Sequence, residues 1–163
     1  MTNRDIEFLF EIGSMKNVDR SWSQMLGMKC ATNLEHSFRV AFVALLIARR
    51  EAAAHRAKGI SEEKILKMAL IHDLPEARTQ DLHYIGKVYA STNDEKAAAD
   101  LFAGTTFRDL NEDILHEYER RESFEARAIK DADNLDVDIE LKELEERGSA
   151  LPKKWAANRR IVR

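Results

Sequence analysis

The chain has 163 residues, enough for one domain with a hydrophobic core and too few for two of ordinary size, so we expect a single domain over residues 1–163. Charged residues make up 34% and the net charge is −3, which gives no reason to expect binding to nucleic acid or to an anionic membrane. The sequence contains one cysteine, Cys30, which excludes an intrachain disulfide and fits a reducing, cytoplasmic compartment. The N-terminal residues do not resemble a signal peptide, and no apolar run approaches the length of a membrane span.

The pattern of apolar residues predicts an all-α fold. Two prolines and six glycines leave most of the chain free to be helical, and little β-branched alternation argues against a sheet. We expect about six to seven helices packed as a bundle. The first begins after Thr2, extends through Glu11 and is ended by Gly13. A long helix follows from Asn33 to about Arg56.

Helix starts and stops are also visible further along the chain. Ser61 is followed by two glutamates, which is typical of a helix N-terminus. Pro75 interrupts that helix, because proline disfavours helical geometry in the residue before it. Thr92 opens a capping-box sequence for a helix that stops at Gly104. The remaining helical segments are predicted over residues 107–121 and 123–147, and from Pro152 through Trp155.

The dipeptide His72-Asp73 is the most informative feature, because a second histidine and a second aspartate occur at useful separations. His36 lies one helix upstream, on the apolar face of its helix, and Asp133 lies well downstream between apolar neighbours. Two imidazoles and two carboxylates suit a divalent transition metal and leave positions for water and substrate. We therefore predict a site for one divalent ion (Mn, Co, Fe, Ni or Zn) rather than four unrelated surface residues. Its ligands are His36, His72, Asp73 and Asp133.

Three segments resemble the HD-domain metal-dependent phosphohydrolases, and within them the branch of small 5′-deoxynucleotidase-like proteins. They are Asn-Leu-Glu-His-Ser at 33–37, the run that begins His-Asp-Leu-Pro-Glu at 72–81, and Lys-Asp-Ala-Asp at 130–133. The resemblance extends from about Arg20 to Leu144. It implies a helical HD domain, a homodimer, and hydrolysis of nucleoside 5′-monophosphates or their deoxy forms to nucleoside and phosphate.

Two carboxylates are the candidate catalytic residues. Glu76 follows the His-Asp pair by three residues, from where it could orient a metal-bound water or move its proton. The resembling family has a catalytic residue at this position; the alternative is a glutamate that only stabilises a helix N-terminus. Asp81 matches a family position that contacts the sugar of the substrate, and its alternative is a turn-forming aspartate.

Four residues are candidates for substrate binding. Trp22 matches an aromatic residue of the family site and could cover a base or a sugar, although tryptophan is more often a core residue. The family often has an arginine just before this tryptophan, but here Ser21 is adjacent and Arg20 lies one position further back. Arg78 and Lys130 are further candidates for the phosphate, and each cation could equally be a solvated surface charge.

Two other interpretations remain open at this stage. Another HD hydrolase could act on a nucleoside triphosphate, a guanosine polyphosphate or a cyclic diester. A non-catalytic module, in which a metal ion only stabilises the fold, could act through partner contacts.

The acidic run after Lys130 is expected to be a solvated face, with Asp133 as the exception. Its other members are Asp131, Asp136, Asp138 and Glu140.

Overall fold

A computed structural model describes residues 2–56, 58–83 and 85–154 of the chain. Within these ranges the fold consists of helices joined by loops. The α-helices are α1 (Asn3–Gly13), α2 (Ser23–Leu26), α3 (Asn33–Ala53), α4 (Glu62–Ile71), α5 (Glu76–Thr79), α6 (Gly86–Tyr89), α7 (Asp94–Phe102), α8 (His116–Arg120) and α9 (Phe124–Glu146). A 3₁₀ helix spans Ser14–Asn17, and a π-helix spans Leu110–Leu115 directly before α8.

The all-α prediction is confirmed. The isolated bridge between Asp19 and Thr32 is the only β pairing in the described part of the chain. The described helices outnumber the predicted six to seven because α2, α5, α6 and α8 have only four or five residues each. Helices this short hold too few residues to show an apolar period in the sequence.

The predicted helix boundaries are mostly those of the structure. Thr2 caps α1 in a reciprocal capping box with Asp5, and Ser61 caps α4. The long helix α3 starts at Asn33 as predicted but ends at Ala53, short of Arg56. The prediction of Thr92 as the cap of α7 is wrong. The neighbouring Asn93 is the cap, because its side-chain oxygen accepts the Lys96 backbone N–H.

The core lies between α3, α4 and α9, the three helices that pack against one another at the centre of the bundle. Its fully buried side chains include Val40, Ile65, Met68 and Ile129. This packing fixes the relative positions of α3, the C-terminal end of α4 and the middle of α9. Any side chains that project from these three places toward a common point are held there by the core.

A loop formed by residues 18–32 closes onto α9. Its two ends are joined by hydrogen bonds from Asn33 N to Val18 O (2.8 Å) and from Arg20 N to Ala31 O (3.0 Å). The loop also contributes to a second apolar cluster against α9. That cluster contains Leu26, Cys30, Val137, Leu141 and Leu144. We refer to this segment as the 18–32 loop.

The predicted last amphipathic segment is only partly within the described residues. Residues 151–154 are helical, and Trp155 lies outside the described residues. None of the helices described is both long and apolar enough to cross a bilayer.

Candidate metal centre and substrate cavity

The core brings two histidines and two aspartates to one point. His36 lies in the first turn of α3, His72 and Asp73 directly follow α4, and Asp133 lies in the middle of α9. One ligand atom each from His36, His72 and Asp133 falls within 4.8 Å of the others. Oδ2 of Asp73 lies 3.4 Å from Nε2 of both histidines. The four predicted ligands therefore form a single cluster.

The imidazole nitrogens that face this cluster have no hydrogen-bond partner. Nε2 of His36 and Nε2 of His72 are both buried, and neither makes a hydrogen bond within the described structure. Nε2 of His36 lies 3.3 Å from Oδ1 of Asp133 without bonding to it. Burying an unpaired nitrogen is unfavourable, so such groups usually have a function or a bound partner. These residues thus fit a divalent metal.

The opposite nitrogens of the two rings fix their orientation. Nδ1 of His72 lies 2.9 Å from the carbonyl oxygen of Ala69, which can only accept, so Nδ1 carries the proton. Burial lowers the pKa of His72, which favours the neutral ring with a lone pair on Nε2. Nδ1 of His36 lies 2.7 Å from Oδ2 of Asp136, a carboxylate that also accepts from Arg39. Both rings therefore present Nε2 as metal ligands do.

The electrostatics of the cluster favour a bound cation. Burial would lower the pKa of His36, but the nearby carboxylates of Asp133, Asp136 and Asp73 outweigh it and raise the pKa to about 10. The carboxylates thus stabilise positive charge at the position that Nε2 faces. A divalent metal would supply that charge while His36 stays neutral.

Arg20 is a cation built into the same cluster. Its guanidinium is buried and lies 3.0 Å from Asp73, 3.5 Å from Asp81 and 3.8 Å from Asp133. Burial opposes its charge, but these carboxylates outweigh it and hold the pKa of Arg20 above its ordinary value. Arg20 therefore remains charged beside the ligands. The shift by one position relative to the family pattern does not keep it from reaching them.

Glu76 lies beside the ligands in a protected environment. Its side chain accepts a hydrogen bond from the amide of Asn33. Burial, followed by repulsion from Asp73 and Asp81, raises the pKa of Glu76 to about 8. A carboxyl group with a pKa near neutrality can both take up and release a proton under working conditions.

The cluster opens into a cavity of about 470 Å³, within the usual range for a small-molecule site. Trp22, Asp81, Lys130 and Glu76 line it together with three of the four metal-ligand candidates, and the fully buried His36 lies beneath them. Asp81 accepts the backbone N–H of Ser21 at 3.0 Å, and Lys130 lies 2.7 Å from Asp133. Nine of the ten predicted site residues therefore lie in or directly beneath this cavity.

Arg78 is the exception among the predicted substrate-binding residues. Its guanidinium donates to Glu11 at 2.9 Å and lies 3.9 Å from Asp100, outside the cavity lining. It follows Glu76 on the short helix α5 but projects toward α1 and α7. The structure thus does not bring Arg78 to the cavity with the other predicted site residues, because its guanidinium is paired on another face.

The solvated acidic face predicted for α9 is wrong at two positions. Asp136 is 1% exposed and orients His36, and Glu140 is 5% exposed and accepts from Trp22 and Ala31. The spacing 133, 136, 140 places all three acids on one face of a helix. If Asp133 faces a metal, this spacing predicts that Asp136 and Glu140 face inward as well, so the sequence did contain a signal for their burial.

Two further residues of the lining carried no signal in the sequence. The ring of Tyr118 packs edge-on against His72, with 5.7 Å between centroids. The guanidinium of Arg121 lies over the Tyr118 ring at 3.5 Å, and its Nη1 is buried without a hydrogen-bond partner. Arg121 reaches this position from a left-handed backbone conformation at the end of α8 (φ 58°). It adds a second arginine to the cavity.

Comparisons with known proteins identify the family. A family model described as "HD domain" matches residues 12–158, nearly the whole chain. The chain belongs to the HD-domain family. A relative in Dictyostelium discoideum, "5′-deoxynucleotidase HDDC2", is 26% identical over 159 residues, which cover 91% of this chain and 82% of the relative. The family and branch resemblance predicted from the sequence is confirmed.

Solved structures agree with this assignment. The PH0347 protein of Pyrococcus horikoshii has a TM-score of 0.78 and 31% identity, over 97% of this chain and 89% of that protein. A protein of Magnetospirillum magnetotacticum, described as "Predicted metal-dependent phosphohydrolase", has a TM-score of 0.68 and 25% identity. That match covers 87% of this chain and 71% of the other.

Proposed function

We propose that this HD-domain protein is a metal-dependent phosphomonoesterase that converts nucleoside 5′-monophosphates, or their deoxy forms, to nucleoside and phosphate. The observation that carries the proposal is the pair of buried, unpartnered Nε2 atoms on His36 and His72, which face two aspartates at the base of the cavity. The name of the Dictyostelium relative supports the same reaction.

The metal would be held by His36, His72, Asp73 and Asp133. Such an ion supplies Lewis acidity at phosphorus and a water of lowered pKa. The mixed nitrogen and oxygen donors suit Mn, Co, Fe, Ni or Zn. One ion per chain accounts for the two imidazole nitrogens without a partner.

The protein side chains account for the proton and the charge. Glu76 accepts the proton of the attacking water and returns it to the 5′ oxygen as the P–O bond breaks. Arg20, which stays charged beside the ligands, stabilises the negative charge that develops on the phosphoryl oxygens. Lys130 lies at the cavity edge and offers a second cation for the phosphate.

The part of the cavity that Trp22 and Asp81 line is suited to a nucleoside. Trp22 presents an aromatic surface for a sugar or base, and Asp81 offers a carboxylate to a sugar hydroxyl. A site that pairs a particular hydroxyl discriminates against substrates that place it elsewhere. We therefore expect 5′-monophosphates to be preferred over 3′-monophosphates, and deoxyribose over ribose.

A phosphate-release assay tests this function. The purified protein would be given 5′- and 3′-monophosphates, diphosphates and triphosphates of nucleosides and deoxynucleosides, guanosine polyphosphates and cyclic diesters, each with Mn, Co, Fe, Ni or Zn. Phosphate release and chromatographic separation of the nucleotide products would be measured together. Release confined to 5′-monophosphates is the expected result. Activity confined to triphosphates, guanosine polyphosphates or cyclic diesters would reassign the substrate. No turnover of any of them with a fully loaded metal site would favour the non-catalytic module.

We also propose that the protein is a cytoplasmic homodimer. The outer face of α3 exposes four large apolar side chains at four-residue spacing, which we call the α3 stripe. They are Leu34 (39% exposed), Phe38 (69%), Phe42 (62%) and Leu46 (52%). An apolar stripe of this kind often marks a contact between proteins, and a two-fold dimer would bury it against its own copy. The single cysteine, Cys30, supports a reducing compartment.

A further inference from the structure

Glu140 is a buried carboxylate on α9 that does not face the metal cluster. It is 5% exposed, lies two helical turns beyond Asp133 and does not line the cavity. Oε2 accepts a hydrogen bond from Nε1 of Trp22 at 2.9 Å, and Oε1 accepts one from the backbone N–H of Ala31. Burying a carboxylate is costly unless it is hydrogen-bonded, and both oxygens of Glu140 make their hydrogen bonds to the same loop. This arrangement indicates that Glu140 holds the loop in place.

Glu140 holds both sides of the 18–32 loop. Trp22 lies on the outgoing side of the loop and Ala31 on the returning side, and Ala31 O in turn accepts the Arg20 backbone N–H. The loop also packs against α9 through apolar side chains, but apolar contacts are non-directional. A hydrogen bond depends on angle as well as distance, so it fixes the rotation of the Trp22 indole.

The orientation of Trp22 affects the charged part of the cavity. The guanidinium of Arg20 lies over the indole, 4.6 Å from its centroid. The same guanidinium lies 3.0 Å from Asp73, a predicted metal ligand. A continuous series of contacts therefore runs from Glu140 through Trp22 to Arg20 and the cluster.

We propose that Glu140 is a positioning residue, which sets the position of Trp22 and, through it, of Arg20 at the substrate cavity. This inference rests on the proposed function for its effect on KM. Glu140 touches neither the ligand cluster nor the cavity, so its removal acts on substrate binding and leaves the metal in place.

Two substitutions at Glu140 separate positioning from folding. Glu140→Ala removes both acceptors, whereas Glu140→Gln keeps the shape but only one acceptor oxygen. With deoxyadenosine 5′-monophosphate and Co²⁺, KM should rise about tenfold in Glu140→Ala, the scale of one hydrogen bond to a charged group. Glu140→Gln should show a smaller rise. In both variants kcat changes less than KM and bound Co²⁺ is unchanged.

Glu146→Ala is the matched control, because Glu146 lies on the same helix, is exposed and pairs with Lys142. It should leave KM unchanged. Equal effects of Glu140→Ala and Glu146→Ala would overturn the proposal. Loss of Co²⁺ in Glu140→Gln would also overturn it, since Glu140 would then support the metal rather than the loop.

Trp22→Phe tests whether Glu140 acts through the indole. It removes the N–H donor but keeps an aromatic ring in the cavity wall. In this background Glu140→Ala should raise KM by much less than it does in the wild type, because the two residues share one interaction. Fully additive effects on KM would contradict the proposal.

Tryptophan fluorescence tests the positioning without any catalytic readout. In a Trp155→Phe background Trp22 is the remaining tryptophan. Glu140→Ala should make its emission more accessible to acrylamide, and Glu146→Ala should not. Unchanged quenching in Glu140→Ala would overturn the proposal. This measurement needs no turnover. A protein that is inactive on every nucleotide would therefore refute the proposed function, while the quenching experiment would still decide whether Glu140 positions Trp22.

Discussion

At the scale of single residues, the site contains groups that are suited to bind a metal and others that are suited to act beside it. Glu76 lines the cavity and is held by Asn33, and the two imidazole Nε2 atoms with their opposing aspartates complete the cluster without it. Its carboxyl group has a pKa raised to about 8 by burial and by neighbouring carboxylates. These features suit a proton carrier rather than a ligand.

Glu76→Gln should keep the bound metal and lose turnover by about two to four orders of magnitude, the usual contribution of a positioned acid or base. Metal analysis and phosphate release on the same preparation measure both effects. Glu112→Gln, at an exposed glutamate paired with Arg108, serves as the control. Loss of metal together with activity would make Glu76 a ligand. Unchanged turnover would remove it from the mechanism.

The four residues of the cluster could be predicted from the sequence, but the residues that support them could not. His72 and Asp73 are adjacent, and His36 has an apolar helix face beside it, so their chemistry and spacing are visible in the chain. Arg121 reaches the cavity only because the backbone turns left-handed after α8. Arg78 lies two residues after Glu76, and its guanidinium pairs with Glu11 instead of entering the cavity. Side-chain direction at a helix end depends on local geometry that periodicity does not encode.

At the scale of secondary-structure elements, α9 organises the site. Asp133, Asp136 and Glu140 project from one face and contact, respectively, the ligand cluster, the supporting nitrogen of His36, and the 18–32 loop. The sequence predicted the helix and its length correctly. It did not predict this buried face, because a row of acids on a helix is usually solvated and only the packing of α3 and the loop makes it otherwise.

The beginning of α1 offers a test of how one carboxylate joins distant elements. Asp5 closes the capping box with Thr2 and accepts hydrogen bonds from the backbone and side chain of Thr106. The backbone hydrogen bond from Thr106, followed by that from Thr2, lowers the pKa of Asp5 to about 2. A lowered pKa means that the folded state favours the ionised form of Asp5. The stabilisation is therefore complete above the pKa that Asp5 has in the unfolded chain, and it is lost as the pH falls through the folded-state pKa.

Asp5→Asn should therefore lower Tm at pH 7 and pH 5. The difference from the wild type should shrink as the pH falls from about 4 toward 2, where about half of the wild-type carboxyls are protonated in the folded state. Thermal unfolding followed by circular dichroism across this range measures it. Glu7→Gln, at an exposed glutamate of the same helix, should show no such pH dependence. A difference in Tm that stays constant down to pH 2 would contradict the assignment.

At the scale of the whole molecule, the predicted metal ligand His36 and the α3 stripe belong to the same long helix. His36 lies on the buried face of α3, while Phe38 and Phe42 lie on the exposed face with their rings 5.3 Å apart. A dimer formed through this face would brace the helix that carries the predicted metal ligand His36. The sequence shows that both faces of α3 carry apolar residues. Only the packing of the helices shows that the face with Phe38 and Phe42 remains exposed in the single chain.

Replacing both stripe phenylalanines, Phe38→Ser with Phe42→Ser, should convert the proposed dimer to a monomer. Light scattering coupled to size exclusion measures the mass directly. Phe10→Ser is a matched control, because Phe10 is a similarly exposed phenylalanine on α1 (79%). A wild-type mass equal to one chain would contradict the dimer. A doubly substituted protein that remains a dimer would place the interface elsewhere.

The claim on which the rest depends is that His36, His72, Asp73 and Asp133 bind one divalent metal. Elemental analysis of the purified wild type, His72→Ala and Asp133→Ala tests it most directly, with the exposed His116 replaced by alanine as the control. We expect about one transition metal ion per chain in the wild type and in His116→Ala. His72→Ala and Asp133→Ala should retain almost none. Full occupancy in both of these variants would contradict the metal site and the hydrolytic function built on it.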